Sequence, residues 1–119
     1  MKGFIMPYFN IETSRTMEKE IVQDFARKAS AFVSNLLGKP ESFVMVAVKP
    51  EPIMLFGGSD SPAAFVQLKS IGLPRDNCSE YAAKICGFIK QELGIPEDRV
   101  YIDFTDLDGK MFGWNSKTF

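Results

Sequence analysis

Histidine is absent from all 119 residues. That excludes Ser-His-Asp chemistry, imidazole-ligated zinc and the commonest side-chain general base, so any proton transfer must use another group. Cysteine is scarce. Cys78 and Cys86 fall on one expected helix, where eight residues span about 12 Å at about 1.5 Å each, more than the roughly 7 Å between disulfide-linked Cα atoms. Both are expected to be free thiols. No apolar run approaches the roughly 20 residues of a membrane span, and Phe4 to Phe9 is too short and Pro-interrupted for a signal-peptide core. The expectation is a cytoplasmic protein, or one secreted without a signal peptide. Charge of one sign is also missing: 14 basic and 15 acidic residues leave a net −1, with no basic stripe for phosphate or anionic lipid. Nucleic acid and membrane are not expected partners, and neither metal nor cofactor is implied. What is present, 45% hydrophobic and 24% charged residues, suits one globular domain over residues 1–119.

Along the chain, Pro7 to Thr13 reads as a strand that starts at a proline, a residue confined to strand starts, edges or bulges because it lacks a ladder donor. From Thr16, a plausible N-cap, apolar residues recur at three- and four-residue steps (Ile21, Phe25, Ala29, Phe32, Val33, Leu36), which predicts an amphipathic helix stopped by Gly38 and Pro40. Val44 to Val48 is apolar throughout and reads as a strand buried on both faces. Ile53 to Phe56 reads as a short strand. Gly57-Gly58 lacks the following helix that a phosphate cradle needs. Ala63 to Ile71 reads as a strand, Asn77 with Glu80 as a capping box, and Tyr81, Ala82, Ile85, Ile89 and Leu93 as a second amphipathic helix. Val100 to Thr105 is then a strand, Asp108-Gly109 a turn, and Met111 to Trp114 a final strand or hairpin arm.

The halves repeat. Leu37-Gly38-Lys39-Pro40-Glu41-Ser42-Phe43-Val44 and Leu93-Gly94-Ile95-Pro96-Glu97-Asp98-Arg99-Val100 agree at five of eight positions with an offset of 56, which also pairs Phe9 with Phe65, Lys28 with Lys84 and Phe32 with Phe88. Two strand–helix–strand units, about 7–50 and 63–106, predict an α+β fold. Right-handed crossovers place two helices on one face of a four-stranded sheet of the split βαβ, ferredoxin-like type. The other face stays bare, and the apolar run Val44 to Val48 would expose one side there, so an oligomer of facing sheets is expected.

Met6-Pro7, Gly38-Lys39-Pro40, Phe56-Gly57-Gly58-Ser59, Ser70-Ile71-Gly72, Asp98-Arg99-Val100-Tyr101-Ile102 and the closing Gly113-Trp114-Asn115-Ser116-Lys117-Thr118-Phe119 resemble, together and in order, the macrophage migration inhibitory factor and D-dopachrome tautomerase family of the tautomerase superfamily. The resemblance implies a duplicated βαβ fold assembled as a homotrimer. It implies a keto–enol tautomerase acting on small aromatic 2-oxo acids such as phenylpyruvate and on dopachrome, without cofactor. The catalytic base would be the nitrogen of Pro7 after removal of the residues before it. An α-amine has a reference pKa of about 7.7–8.0, and desolvation or a nearby cation lowers it, so the chemistry needs no histidine.

The same resemblance makes Lys39 the carboxylate-binding lysine, Ile71 a backbone N–H donor to that carboxylate, Tyr101 a pocket tyrosine, and Phe112, Trp114 and Phe119 an aromatic wall. Read alone, Lys39 is a lysine complementing a helix C-terminus, Tyr101 half-buried packing and Trp114 core. Asp103 stands where animal cytokines of the family carry an asparagine; a carboxylate only accepts hydrogen bonds and would raise the pKa of a nearby amine, opposing Lys39. Phe43 stands at a tyrosine position. The family's Cys-x-x-Cys is replaced by Ala63 and Val66, so no thiol–disulfide activity is expected. Met1 to Ile5 read as either a mis-called start before Met6 or a genuine extension. If residues 1–6 remain attached, Pro7 nitrogen is an amide without a basic lone pair, and the alternative is a non-catalytic interaction protein or cytokine with an unknown receptor. A metabolite-binding regulatory domain would explain the repeat but not the closing aromatic segment.

Overall fold

The computed structural model describes residues 7–50 and 52–119; the readings of Met1 to Met6 lie outside them. Strand β1 (Pro7–Thr13) leads to helix α1 (Lys19–Leu37) and strand β2 (Met45–Pro50), and the second unit runs β3 (Ala64–Ile71), α2 (Cys78–Leu93), β4 (Val100–Leu107). A hairpin of β5 (Gly113–Trp114) and β6 (Lys117–Thr118) ends the chain. Among the described residues no helix is long and apolar enough to cross a membrane.

The α+β class, the four-stranded sheet and the two helices are as expected, but the strand order is not that of an interleaved, split βαβ sheet. The order is β2-β1-β3-β4: β1 lies parallel and directly beside β2, β3 beside β4, and β1 meets β3 antiparallel. Each βαβ unit therefore closes on itself, and the two are joined back to back. Sequence periodicity is blind to this choice, because it reports which face of a strand is apolar and not which strand lies alongside.

Side-chain alternation settles the layers. Phe9 and Ile11 of β1, level with Leu68 and Val66 of β3, point with Phe104 and Ile102 of β4 toward the helices. There they meet Phe25, Ala29 and Val33 of α1 and Ile85 and Ile89 of α2, at 0–3% exposure. Each fully buried side chain of this size is worth about 1.5–3 kcal/mol. Phe88 stacks on both Phe25 and Phe32, at centroid distances of 5.6 and 4.4 Å, and joins the helices. The offset of 56 thus marks true structural equivalents in the helices: Phe32 and Phe88 lie against one another. It fails for β1 and β3, where Phe9 faces the core while Phe65, three residues from Phe9's partner Leu68, points the other way. One residue of slip reverses the face.

The open face is not the apolar surface expected from Val44 to Val48. Val46 and Val48, level with Phe9 and Ile11, turn to the helices, leaving Met45 (63% exposed) and Ala47 on the other side. By alternation that side also carries Tyr8, Asn10, Glu12, Phe65, Gln67, Lys69, Tyr101, Asp103 and Thr105, a mixed polar and aromatic surface on which Asn10 Nδ2 donates to Gln67 Oε1 at 3.1 Å. Ile53 to Phe56 form no strand; only Phe56 bridges to Ser59 across a tight turn at Gly57-Gly58.

Neither expected side-chain cap forms. Thr13 Oγ1 donates to Ala63 O at 2.9 Å and Ser14 N–H to the same carbonyl at 3.2 Å, which ties the chain to β3 and delays α1 until after Glu18. Asn77 is helical in backbone, with no capping bond from its side chain. The stops do hold. Gly38 sits at φ +63° and its N–H reaches Ser34 O, the left-handed ending that lets the next residue, Lys39, leave the helix axis. A Cβ at Gly38 would meet nothing within 4 Å, and the same is true of Gly87 inside α2. Gly38→Ala is therefore expected to destabilise by about 1–2 kcal/mol through backbone strain alone, and Gly87→Ala to stabilise by about 0.5–1 kcal/mol. Urea unfolding of both variants checks the opposite signs.

Candidate active site

The first residue of β1 is placed by its register. Pro7, buried, lies opposite Ser70 of β3, and Ser70 lies level with Asp106 of β4, so these three form one row at an end of the sheet, all on the helix side. Lys39 comes to this row from the end of α1. Its Nζ donates to Ser70 Oγ at 2.5 Å and to Ile71 O at 2.9 Å. Lys39 is half-buried. Burial lowers its pKa from the ordinary lysine value of 10.5, and the Asp106 carboxylate opposes this by favouring the charged form. The structure thus gathers Pro7, Lys39 and Ile71, three of the residues singled out in the sequence. Ile71 engages Lys39 through its carbonyl, and its side chain is 6% exposed.

The aromatic wall is assembled at the same end. Met45 pairs with Tyr8, which brings Val44 level with Pro7, and a cavity of about 260 Å³ opens among Phe43, Val44, Met45, Phe112 and Trp114. Asn115 and Ser116, at φ 54° and 66°, turn the terminal hairpin back so that Phe119 stacks between Phe112 and Trp114, at centroid distances of 6.2 and 6.0 Å. The Phe119 amide closes this turn on Gly109 O at 3.0 Å and Phe112 O at 3.2 Å. Phe43 meets Trp114 edge-on at 5.9 Å. The Lys39 cation and this apolar, aromatic slot thus lie at the same end of the sheet, groups whose chemistry suits a carboxylate and a flat ring.

Tyr101 and Asp103 are not brought to this end. They pair with Phe65 and Gln67, which lie five and three residues before Ser70 on β3, hence about 17 and 10 Å away along the strand at about 3.3 Å per residue. They also face away from the helices. Tyr101, 64% exposed, stacks on Phe56 at 4.6 Å and borders a second cavity of about 430 Å³ with Leu55, Phe56 and Phe65.

Two residues without an assigned role in the sequence prove central. Ser70 is one, and its signal was a hydroxyl at the end of the core-facing series Ala64, Val66, Leu68. Arg99 is the other. Its guanidinium donates to Phe56 O (2.7 Å), Ser59 O (3.1 Å), Ser61 O (2.6 Å) and, weakly, Pro62 O (3.4 Å), and lies 5.1 Å above the Phe56 ring. One side chain therefore fixes the whole loop that carries Phe56 onto Tyr101, a long-range role that no local pattern announces.

A back-to-back βαβ pair with a clamped lysine at the start of its first strand defines a class of protein, and comparison with known proteins gives its family. The family model described as Macrophage migration inhibitory factor (MIF) matches residues 6–119. The chain is 42% identical over 116 residues to a macrophage migration inhibitory factor homolog of Brugia malayi, covering 96% of this chain and 99% of that one. It is 39% identical over 115 residues to the homolog of Trichinella spiralis, covering 96% and 100%. The solved Trichinella spiralis structure superposes with a TM-score of 0.86 at 38% identity, covering 94% of this chain and 99% of that one. A homologue from Prochlorococcus marinus gives 0.86 at 37%, covering 94% and 98%. The chain belongs to the macrophage migration inhibitory factor family.

Arg99→Met keeps the apolar stem and removes the fork. It is expected to raise hydrogen exchange at the Phe56 and Ser59 amides about tenfold, at the lower end of what bonds to a charged donor contribute because the site is partly exposed. Exchange in α1 should stay unchanged; protection at both loop amides equal to that of the unaltered chain would contradict the clamp.

Proposed function

We propose that the chain, in a form that begins at Pro7, is a keto–enol tautomerase for small aromatic 2-oxo acids of the phenylpyruvate and dopachrome type. The observation that carries this reading is the row at the end of the sheet: Pro7 opposite Ser70, with the Lys39 ammonium held on Ser70 Oγ and Ile71 O. Family membership supports it at the level of the tautomerase superfamily.

In this reading Lys39 binds the substrate carboxylate, and the ring lies against Phe112, Trp114 and Phe119. The neutral Pro7 amine takes a proton from the carbon beside the carbonyl and, as the cation, returns it to the enolate oxygen, which regenerates the base. The Lys39 cation and the apolar walls keep the amine unprotonated at neutral pH. Asp103 acts in the opposite sense wherever it approaches Pro7.

The working unit is a single domain assembled as a homotrimer. One chain leaves Tyr101 and Asp103 about 17 and 10 Å along β3 from the Pro7 row and exposes Tyr101 and, beside it, Leu55. A neighbouring copy that buries this apolar patch against the Pro7 end would bring the two groups together. A chain that keeps residues 1–6 retains the scaffold without the base and is left with an interaction role, its receptor unknown.

Protein beginning at Pro7 is expected to enolise phenylpyruvate, and an alanine inserted before Pro7 to reduce turnover by about 10²–10⁴, the usual contribution of a positioned base. Undiminished turnover after the insertion would refute the base. Lys39→Ala is expected to weaken carboxylate substrates far more than their methyl esters, which lose only what the cation contributes to keeping Pro7 neutral; equal loss on both would refute the carboxylate site.

The pH dependence has a definite sign. Lys39 binds an acid only while protonated, and burial lowers its pKa. So kcat/KM for the acid should fall with rising pH, with a midpoint below 10.5 in the free enzyme. Lys39→Arg should move that limb to higher pH, because a guanidinium stays charged where an ammonium has lost its proton.

A further inference from the structure

The helix-facing positions of β3 run Ala64, Val66, Leu68 and then Ser70, so a hydroxyl occupies what is otherwise a core position. Ser70 is 0% exposed. A buried hydroxyl needs a partner, and this one accepts from Lys39 Nζ at 2.5 Å while its own contact with Ile71 O is long, at 3.5 Å. Ser70 Oγ and Ile71 O, from consecutive residues, thus form a two-acceptor cradle for one ammonium group. An ammonium has three N–H bonds, so one is left over.

Asp106 is the competitor. It stands level with Ser70 on the adjacent strand, about 4.8 Å away in the ladder and on the same face, and it is the charged side chain that acts on Lys39. Its Oδ1 accepts from Leu73 N–H at 3.1 Å. Among the described residues the ion pairs are Lys28 with Asp24 and Glu92, Lys84 with Glu80 and Lys90 with Glu97, so Lys39 and Asp106 are not paired. A lysine stem of four carbons is flexible enough to close such a gap, and although Asp106 is exposed, the half-buried Lys39 ammonium attracts it more strongly than in water.

We propose that Ser70 is a positioning residue whose hydroxyl holds the Lys39 ammonium at the Pro7 end of the sheet and keeps it from closing onto Asp106. The cation is thereby left for the carboxylate of the substrate. Without the hydroxyl, Lys39 keeps one carbonyl acceptor and turns to Asp106, and an incoming acid has to displace an internal carboxylate. The substrate side of this inference rests on the tautomerase reading; the Ser70–Lys39–Asp106 arrangement does not.

The test uses protein beginning at Pro7, with phenylpyruvate and its methyl ester as substrates. Ser70→Ala is expected to raise KM for the acid about tenfold, change kcat less than about twofold and reduce kcat/KM for the ester far less than for the acid, as loss of one charge-assisted hydrogen bond requires. Ser70→Thr, which keeps the hydroxyl, should restore the acid. Adding Asp106→Asn to Ser70→Ala should recover at least half of the logarithmic loss, an outcome that a merely structural role for Ser70 would not give. An unchanged KM for the acid, equal losses on acid and ester, or no recovery on removing the Asp106 charge would each overturn the proposal. Should the alanine variant fail to fold, Ser70→Cys carries the same comparison, because a thiol is close in size and a weak acceptor.

NMR titration of the Lys39 amine separates this inference from the reaction itself. In Ser70→Ala the amine should titrate at higher pH than in the unaltered chain, because Asp106 then pairs with it. If protein beginning at Pro7 fails to enolise phenylpyruvate, the tautomerase reading fails. The titration then decides on Ser70 alone, and an unmoved Lys39 overturns it.

Discussion

The seam between β1 and β3 is the constraint on which the molecule depends. Seven antiparallel pairs, from Pro7 with Ser70 to Thr13 with Ala64, join two βαβ units that are otherwise closed on themselves. The seam sets which side chains of both strands meet the helices, and so builds one core from two half-cores, neither large enough to bury Phe9 and Leu68 alone. It also sets the chemistry. Because the pairing begins at Pro7, the first residue of one unit lies opposite the penultimate residue of the other unit's first strand. The lysine that leaves the first helix is caught there by Ser70 and Ile71. A slip of one residue would turn Ser70 to the open face and leave Lys39 with neither acceptor in place.

This dependence explains what was legible beforehand and what was not. The two helices were readable because their apolar stripes and left-handed glycine stops are local features, written within four residues of where they act. Pro7 was conspicuous for the same reason: a proline in an apolar strand is a local anomaly. Strand order was not readable, since split and unsplit βαβ sheets need the same apolar alternation. The partners of Lys39 lie 31 and 32 residues away, and those of Arg99 lie 37 to 43 residues away. No periodicity records such pairings. The continuous apolar run Val44 to Val48 misled because a strand whose outer positions are Met45 and Ala47 spells the same pattern as one buried on both faces.

The family motifs fared differently from the periodicities. Gly38-Lys39-Pro40 and Ser70-Ile71-Gly72, far apart in sequence, are the two halves of one hydrogen-bonded clamp, and Phe56-Gly57-Gly58-Ser59 with Asp98-Arg99 are the two halves of another. Each motif looks weak in isolation because its partner lies far along the chain, in the other βαβ unit for Lys39 and in the loop between the units for Arg99. Their joint presence is informative for a physical reason: a clamp missing either half leaves a buried cation or a string of loop carbonyls without partners, at about 1–3 kcal/mol for each unsatisfied group.

The two clamps lie at opposite ends of the β3–β4 ladder, and this separation organises the functional reading. Lys39 and its acceptors make a rigid cationic point beside the closing aromatic residues, while Arg99 makes a rigid aromatic point of Phe56 and Tyr101 on the far side of the sheet. Neither point can swing to the other, because each is held by backbone carbonyls of a strand or tight turn, joined for Lys39 by the buried Ser70 hydroxyl. A chemistry that needs both must therefore bring them together by association of copies and not by motion within one chain. An exposed tyrosine packed at a tilt on Phe56 beside Leu55 is the kind of surface that such association would bury. In a chain without histidine, the preorganised elements are thus charges and rings fixed to the scaffold, and in the proposed reaction the proton is left to the Pro7 nitrogen at the start of β1.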